Sequence, residues 1–333
     1  FLAASPPVCC WEPVEGSTEE PLKPVRLRHA EYCGENVTES GETNSYRGRE
    51  DYLVQGPGFF YCGCDEFEDS LVWQASMCTL RDFDAEHFCR ILGNRTVLFV
   101  GDSTMAQAAT TLMNLIHWAY WGDARAGCQQ QIIFTLSDTL VGRSFGINNR
   151  GIEWKHAVRK YLGKGGGGGL LVLGAAAHIP FTVDFEAVIA QVSREHQLEF
   201  PDLPLFWKTS QPGGCSLRAL THLPSEQINF WQDYAGIQYN WGLFETWDQR
   251  ARDLFGNPAL KNSYVLDLQP LHLRADAHPG SIPGQNNHPH KDHAKTDGWK
   301  IDCLHMCMSG PLDLVSRVFF HILSLLQEGG HRK

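Results

Sequence analysis

The sequence predicts an α/β fold with a central, mostly parallel sheet covered on both faces. Three observations predict it. From about residue 95 onward, short apolar runs of strand length alternate five times with stretches of helical spacing, the pattern of strand–helix crossovers rather than hairpins. The first run, Val97-Leu98-Phe99-Val100, stops abruptly at Gly101-Asp102-Ser103. The last long apolar pattern, Pro311 to Leu326, is amphipathic at helical spacing.

Each element has its own warrant. Thr96 to Val100 is short, apolar and β-branched, and it is bounded by Gly101, which marks a buried strand. Met105, Ala109, Leu112, Leu115, Ile116 and Ala119 then recur at helical spacing. Gln131 to Leu136 is a second strand. Leu170 to Leu173 is a third, entered through Gly165 to Gly169. Five consecutive glycines without a following Lys-Ser/Thr do not make a phosphate loop, so they read as a flexible surface connection. Phe185 to Val192 is helical, Leu205 to Thr209 is a fourth strand, and the aromatic-rich stretch Ser225 to Leu254 makes one or two helices. Tyr264 to Leu268 is the fifth strand. The final helix has Ser309 or Gly310 near its cap and Pro311 in its first turn.

The 333 residues, 43% of them apolar, suffice for a large core. The formal net charge is −10 with no long basic run, which speaks against nucleic acid as a partner. No apolar stretch reaches the roughly 18 residues a bilayer-spanning helix needs. The start, Phe1-Leu2-Ala3-Ala4, lacks the basic and long apolar regions of a signal peptide. Beginning without Met, the chain reads as a mature or truncated piece from which a membrane anchor could have been removed.

Of eleven cysteines, five precede residue 65, in a segment rich in Gly, Pro, Glu and Ser with weak periodicity. Such a segment holds its shape poorly by burial, so disulfide staples are the natural reading, with a reduced protein of buried thiols as the alternative. The sequons Asn36-Val37-Thr38 and Asn94-Arg95-Thr96 fit a secretory compartment. The organisation that follows is an irregular, disulfide-stapled extension over 1–90 packed on a catalytic domain over 91–333.

Two motifs carry chemistry. Ser103 would stand at the mouth of the first strand and the start of a helix, where unpaired N–H groups and the helix dipole favour developing negative charge. A serine hydroxyl needs a base to attack a carbonyl. His305, in Asp302-Cys303-Leu304-His305, is the candidate base, and Asp302 the carboxylate that orients its ring. Ligands of parallel sheets sit beyond the carboxyl ends of the strands, so both groups could meet at one rim. Taken separately, Gly-Asp-Ser is a common turn, and Asp-x-x-His is a helix-start motif or a surface pair.

The two motifs and their surroundings resemble the SGNH-type PC-esterase group, which includes the trichome-birefringence-like and Cas1-like glycan O-acetyltransferases. Trp73, Cys78-Thr79-Leu80, Phe83, Phe88 and Leu92 before Val97-Leu98-Phe99-Val100-Gly101-Asp102-Ser103 are similar to that family's lead-in. Trp299-Lys300-Ile301-Asp302-Cys303-Leu304-His305, with Cys307 and Gly310-Pro311, is similar to its Asp-Cys-x-His-Trp-Cys segment. The resemblance implies an SGNH-like (flavodoxin-like) three-layer α/β/α sandwich with a cysteine-stapled N-terminal extension. It also implies a catalytic triad of Ser103, His305 and Asp302. Ser103 would take acetyl from a donor co-substrate, acetyl-CoA or another acetyl ester, and pass it to a sugar hydroxyl. No bound cofactor is implied.

The sequence departs from the family at two places. SGNH enzymes carry an oxyanion-binding Asn after the third strand, where this chain reads Leu173-Gly174-Ala175-Ala176-Ala177-His178. The oxyanion hole then rests on the Ser103 amide plus a second amide near Gly142 or Gly174, with His178 matching the family's Gly-His. The plant members' Arg-x-x-Ser-Pro stands here as Lys208-Thr209-Ser210-Gln211-Pro212.

His288, His290, Asp292 and His293 cluster in a Pro-broken loop, which reads as a solvated or substrate-lining loop with a metal site as the alternative. Cys303 and Cys307 flank His305 and read as disulfide partners rather than zinc ligands. Three functions follow: a glycan O-acetyltransferase, a carbohydrate esterase using water with the same triad, and an inactive glycan-binding relative.

Overall fold

The structure is a computed structural model. It describes residues 80–120, 127–142, 149–180, 182–211, 241–269, 271, 304–306 and 312–330, and the strand backbones Trp11–Pro13 and Trp73–Ala75.

Those two strands, β1 (Trp11–Pro13) and β2 (Trp73–Ala75), pair antiparallel with Trp11 opposite Ala75. Then follow α1 (Ala85–Leu92), β3 (Thr96–Gly101), α2 (Ser103–Ala119), β4 (Ile132–Leu136) and α3 (Trp154–Tyr161). After them come β5 (Gly169–Gly174), α4 (Phe185–Glu199), β6 (Leu205–Lys208), α5 (Phe244–Phe255), β7 (Ser263–Leu266) and α6 (Asp313–Gly330). The main sheet has the order β4-β3-β5-β6-β7 and every pairing in it is parallel. Counted within this sheet alone, the order is 2-1-3-4-5, one of the two common doubly wound arrangements. Its direction of winding reverses between β3 and β5, which opens a crevice beyond their carboxyl ends.

The strands are apolar on both faces, as a sheet between two helix layers requires. Val97 and Phe99 of β3, Val172 of β5 and Phe206 of β6 join Phe88 of α1, Leu112 of α2 and Phe319 of α6 in one core. Leu98 and Val100, Leu171 and Leu173, and Trp207 join Trp154 of α3, Val188 of α4 and Phe255 of α5 in the other. Aromatic pairs tie the layers together: Phe206 meets Phe319 edge-on at 4.9 Å, and Trp207 stacks on Phe255 at 4.6 Å. Each such side chain, taken from water, contributes about 1.5–3 kcal/mol. Trp207 and Trp247 are core residues; Trp231, Tyr234 and Tyr239 lie outside the described residues.

Several elements differ from the sequence reading. α1 runs through the boundary drawn at residue 90, its Phe88 and Leu92 buried in the core. Asp84 caps it by accepting from the His87 N–H at 2.8 Å, and Gly93, at φ 59°, ends it. α4 continues to Glu199, seven residues past Val192, because Val188, Val192 and His196 extend its buried face. α6 begins at Asp313, two residues after Pro311. The glycine run is a formed turn rather than a loose linker: Gly169 N–H donates to the Gly166 carbonyl at 3.3 Å. Gly166 has φ +65°, and a Cβ there would meet Leu203 Cδ2 at 2.9 Å. Among the described cysteines, Cys89 and Cys128 form a disulfide that joins α1 to the approach to β4. The sequence reading had suspected the N-terminal cluster and the pair beside His305, which lie outside the described residues.

One buried histidine sets a pH dependence. His196 of α4 is fully buried, its Nε2 donates to the Leu203 carbonyl at 2.7 Å, and its Nδ1 accepts from Gln197 Nε2 at 3.1 Å. Burial lowers its pKa from 6.5, opposed by the Leu203 bond. Above 6.5 both folded and unfolded chains hold it neutral and stability is full. As pH falls below 6.5 the unfolded chain binds the proton first, so stability drops until the lower folded pKa is reached and then levels. The melting temperature should therefore fall through this window, and His196→Gln should flatten the slope. An unchanged slope in that variant would contradict the assignment.

Candidate active site

Three element ends build the site. β3 stops at Gly101, where the backbones of β3, β5 and the start of α2 converge. A Cβ on Gly101 would lie 2.3 Å from the Gly174 carbonyl oxygen and 2.3 Å from Met105 Cγ. The φ of Gly101 is not in the left-handed region, and close approach is what excludes a side chain.

Asp102 caps α2. Its Oδ1 accepts from the Thr104 N–H at 2.9 Å and from Thr104 Oγ1 at 2.7 Å. Its carbonyl accepts from the N–H groups of Met105 and Ala106 at 3.1 and 3.2 Å. The first turn is thereby satisfied except at Ser103, whose N–H makes no hydrogen bond among the described residues. A free donor at a helix N-terminus next to the serine oxygen suits an oxyanion.

His305 arrives from the other end of the chain. Its Nε2 lies 2.7 Å from Ser103 Oγ across 202 residues of sequence. For the ring to act as base, Nε2 accepts from the hydroxyl and the ring proton sits on Nδ1. Asp302 lies outside the described residues, as do Cys303, Cys307 and the histidines at 288, 290 and 293. Among the described residues, no group of three or more His, Cys, Asp or Glu could hold a metal ion.

The turn carrying His305 is held by two glutamines. Gln107 Nε2 donates to the Met306 carbonyl at 2.8 Å, and the Met306 N–H donates back to Gln107 Oε1 at 3.2 Å. Gln211 Nε2 donates to the Leu304 carbonyl at 2.8 Å and to Gln107 Oε1 at 3.3 Å. Gln107 is fully buried one turn along α2 from Ser103. The helix that presents Ser103 therefore also fixes the turn that carries His305. The sequence reading missed both glutamines; the available signal was a Gln at i+4 from Ser103, within the apolar stripe of α2. If His305 serves as the base for Ser103, Gln107→Leu should lower kcat per titratable Ser103 by about 10²-fold through displacement of the ring, with much less change in KM. A loss in KM alone would contradict this positioning role.

A pocket of about 260 Å³, counting its open mouth, adjoins these groups. Asp102 and Thr104, which flank Ser103, form part of its wall. Gly174 to Ala177, Lys208 to Gln211, Phe244 and Leu304 form the rest. Gly174 thus stands at the pocket. His178 is half-buried in the turn after β5 and is not part of the wall, and neither is Gly142, which packs on Asn149. Lys208 is buried, and desolvation lowers its pKa, opposed by the charges of Asp102 and Asp248. Asp248 is itself held by the N–H and hydroxyl of Ser210.

No protein-family model matches the chain, and no curated protein matches it.

Proposed function

We propose that this protein is a serine-dependent O-acetyltransferase that moves an acetyl group to a hydroxyl of a glycan through an acyl-Ser103 intermediate. The observation that carries the reading is the 2.7 Å contact of His305 Nε2 with Ser103 Oγ at the N-terminus of α2. The site sits beyond the carboxyl end of β3, next to the crevice where the sheet's winding reverses. The motifs around both residues, similar to those of SGNH-type O-acetyltransferases, add the acetyl group and the sugar acceptor to the reading.

In the first half-reaction, Ser103 Oγ attacks the carbonyl carbon of an acetyl ester while His305 Nε2 takes its proton. The oxyanion forms toward the Ser103 N–H. Collapse expels the donor's leaving group, which takes the proton from His305. In the second half-reaction, an acceptor hydroxyl attacks the acyl carbon and gives its proton to His305, and Ser103 leaves with that proton. Asp302 is assigned to hold the imidazole. The disulfide Cys89–Cys128 supports an oxidising compartment. No helix among the described residues is long and apolar enough to cross a membrane.

The direct test is intact mass after exposure to an activated acetyl ester. The protein should gain one acetyl group on Ser103 and release it when a glycan is added, with ester appearing on the glycan. Failure to acylate Ser103 would overturn the assignment.

A further inference from the structure

We propose that the pocket at the ends of β5 and β6 binds a neutral hydroxyl of the acyl acceptor, which donates to Gln211 Oε1 and accepts from Lys208 Nζ. This rests on the acyl-transfer reading and names the chemistry that recognises the acceptor.

Two buried polar atoms at this pocket are left with unused bonding capacity. Gln211 is 1% exposed and its Oε1 has no hydrogen-bond partner among the described residues. Its amide orientation is fixed by its neighbours. The Met306 backbone fixes which end of the Gln107 amide is the acceptor. The atom of Gln211 facing both Gln107 Oε1 and the Leu304 carbonyl is therefore the nitrogen. Oε1 is what remains, and a buried acceptor left empty costs about 1–3 kcal/mol. Lys208 is 3% exposed, and its Nζ makes one hydrogen bond among the described residues, to the Thr209 carbonyl at 3.2 Å. Protonated or neutral, it keeps at least one further N–H to donate.

The missing partner must accept from the lysine and donate to the glutamine. An anion satisfies Lys208 but places lone pairs against Gln211 Oε1. An ammonium satisfies Gln211 but opposes Lys208. A hydroxyl does both through one oxygen. The other polar side chains of the wall are already engaged: Thr104 Oγ1 donates to Asp102 Oδ1, Thr209 Oγ1 bonds the Leu266 carbonyl and the Leu268 N–H, and Ser210 Oγ donates to Asp248. Gly174 to Ala177 are small and buried, and Phe244 and Leu304 are apolar. Because Asp102 and Thr104 also form the wall, the site lies beside the nucleophile, where a second hydroxyl of a polyol would hold its neighbour against the acyl carbon. A single ordered water carries the same donor and acceptor, and the experiment separates the two.

Acyl-Ser103 formed from p-nitrophenyl acetate partitions between water and an added alcohol. The ratio of acetyl transferred to methyl glucoside over acetate released is independent of how fast the acyl-enzyme forms. His305 serves both branches, so a displaced base lowers both and leaves the ratio alone. Lys208→Met should reduce this ratio by roughly ten- to hundredfold, the effect of losing one buried charge-assisted hydrogen bond, and Gln211→Leu, which removes a neutral one, by up to roughly tenfold. Lys208→Met replaces a buried amine with an apolar chain of similar length and should fold; if it does not, Gln211→Leu decides. An unchanged ratio, whether the absolute rates hold or fall together, overturns the proposal and leaves the pocket to water. If the wild-type protein forms no acyl-Ser103, the acyl-transfer reading fails, and this inference fails with it.

Discussion

Ser103→Ala is expected to fold normally and to lose at least about 10³-fold in acetyl transfer. Two facts separate chemistry from stability here. The hydroxyl is half-buried and, among the described residues, its one hydrogen bond is to His305, so truncation opens little cavity and orphans no buried group. Alanine is also the better helix former at the first position of α2. The melting temperature should stay within a few degrees of the wild type, while intact mass after treatment with an acetyl ester shows no added acetyl group. A variant that takes up acetyl as fast as the wild type would mean that another nucleophile reacts, and Ser103 would lose its role. A variant that fails to fold would mean that the hydroxyl is structural, which its position gives no reason to expect.

The sheet was legible because its strands are buried on both faces. Val97 to Val100 and Leu170 to Leu173 are uninterrupted apolar runs, and only a sheet under two helix layers tolerates them. The helices α1 and α3 were not legible. Each has eight residues, too short for a repeating pattern, and α3 commits only Trp154, Ala157 and Val158 to the core. α1 also follows a cysteine-rich, weakly patterned segment, which hid a helix whose cap, Asp84, was the readable signal. Ser103 and His305 could be paired from sequence because each ends a recognisable element. The glutamine clamp could not, because bonds across 199 and 93 residues leave no local trace. Lys208 shows the limit in another way. Its neighbours spell a buried strand, but nothing in that pattern says that a lysine within it is buried. Its burial becomes visible only when β5, the start of α2 and the turn at Leu304 close over the same rim.

His305→Ala should be as severe as Ser103→Ala and should not add to it. In the proposed reaction the ring makes Oγ nucleophilic, and without it Ser103 is an ordinary alcohol at the mouth of a strand, so acylation should slow by at least about 10³-fold. The double variant should be no slower than either single one, because the two groups act as one unit. The fold should survive this change because the turn is held through its backbone. Gln107 and Gln211 bond the Met306 N–H, the Met306 carbonyl and the Leu304 carbonyl, and none of these bonds involves the imidazole. The flanking Leu304 and Met306 side chains remain buried as anchors. Burst kinetics with p-nitrophenyl acetate on the two single variants and the double variant would check this. Losses that multiply in the double variant would show that the 2.7 Å contact is a hydrogen bond of the fold rather than the proton path of the reaction.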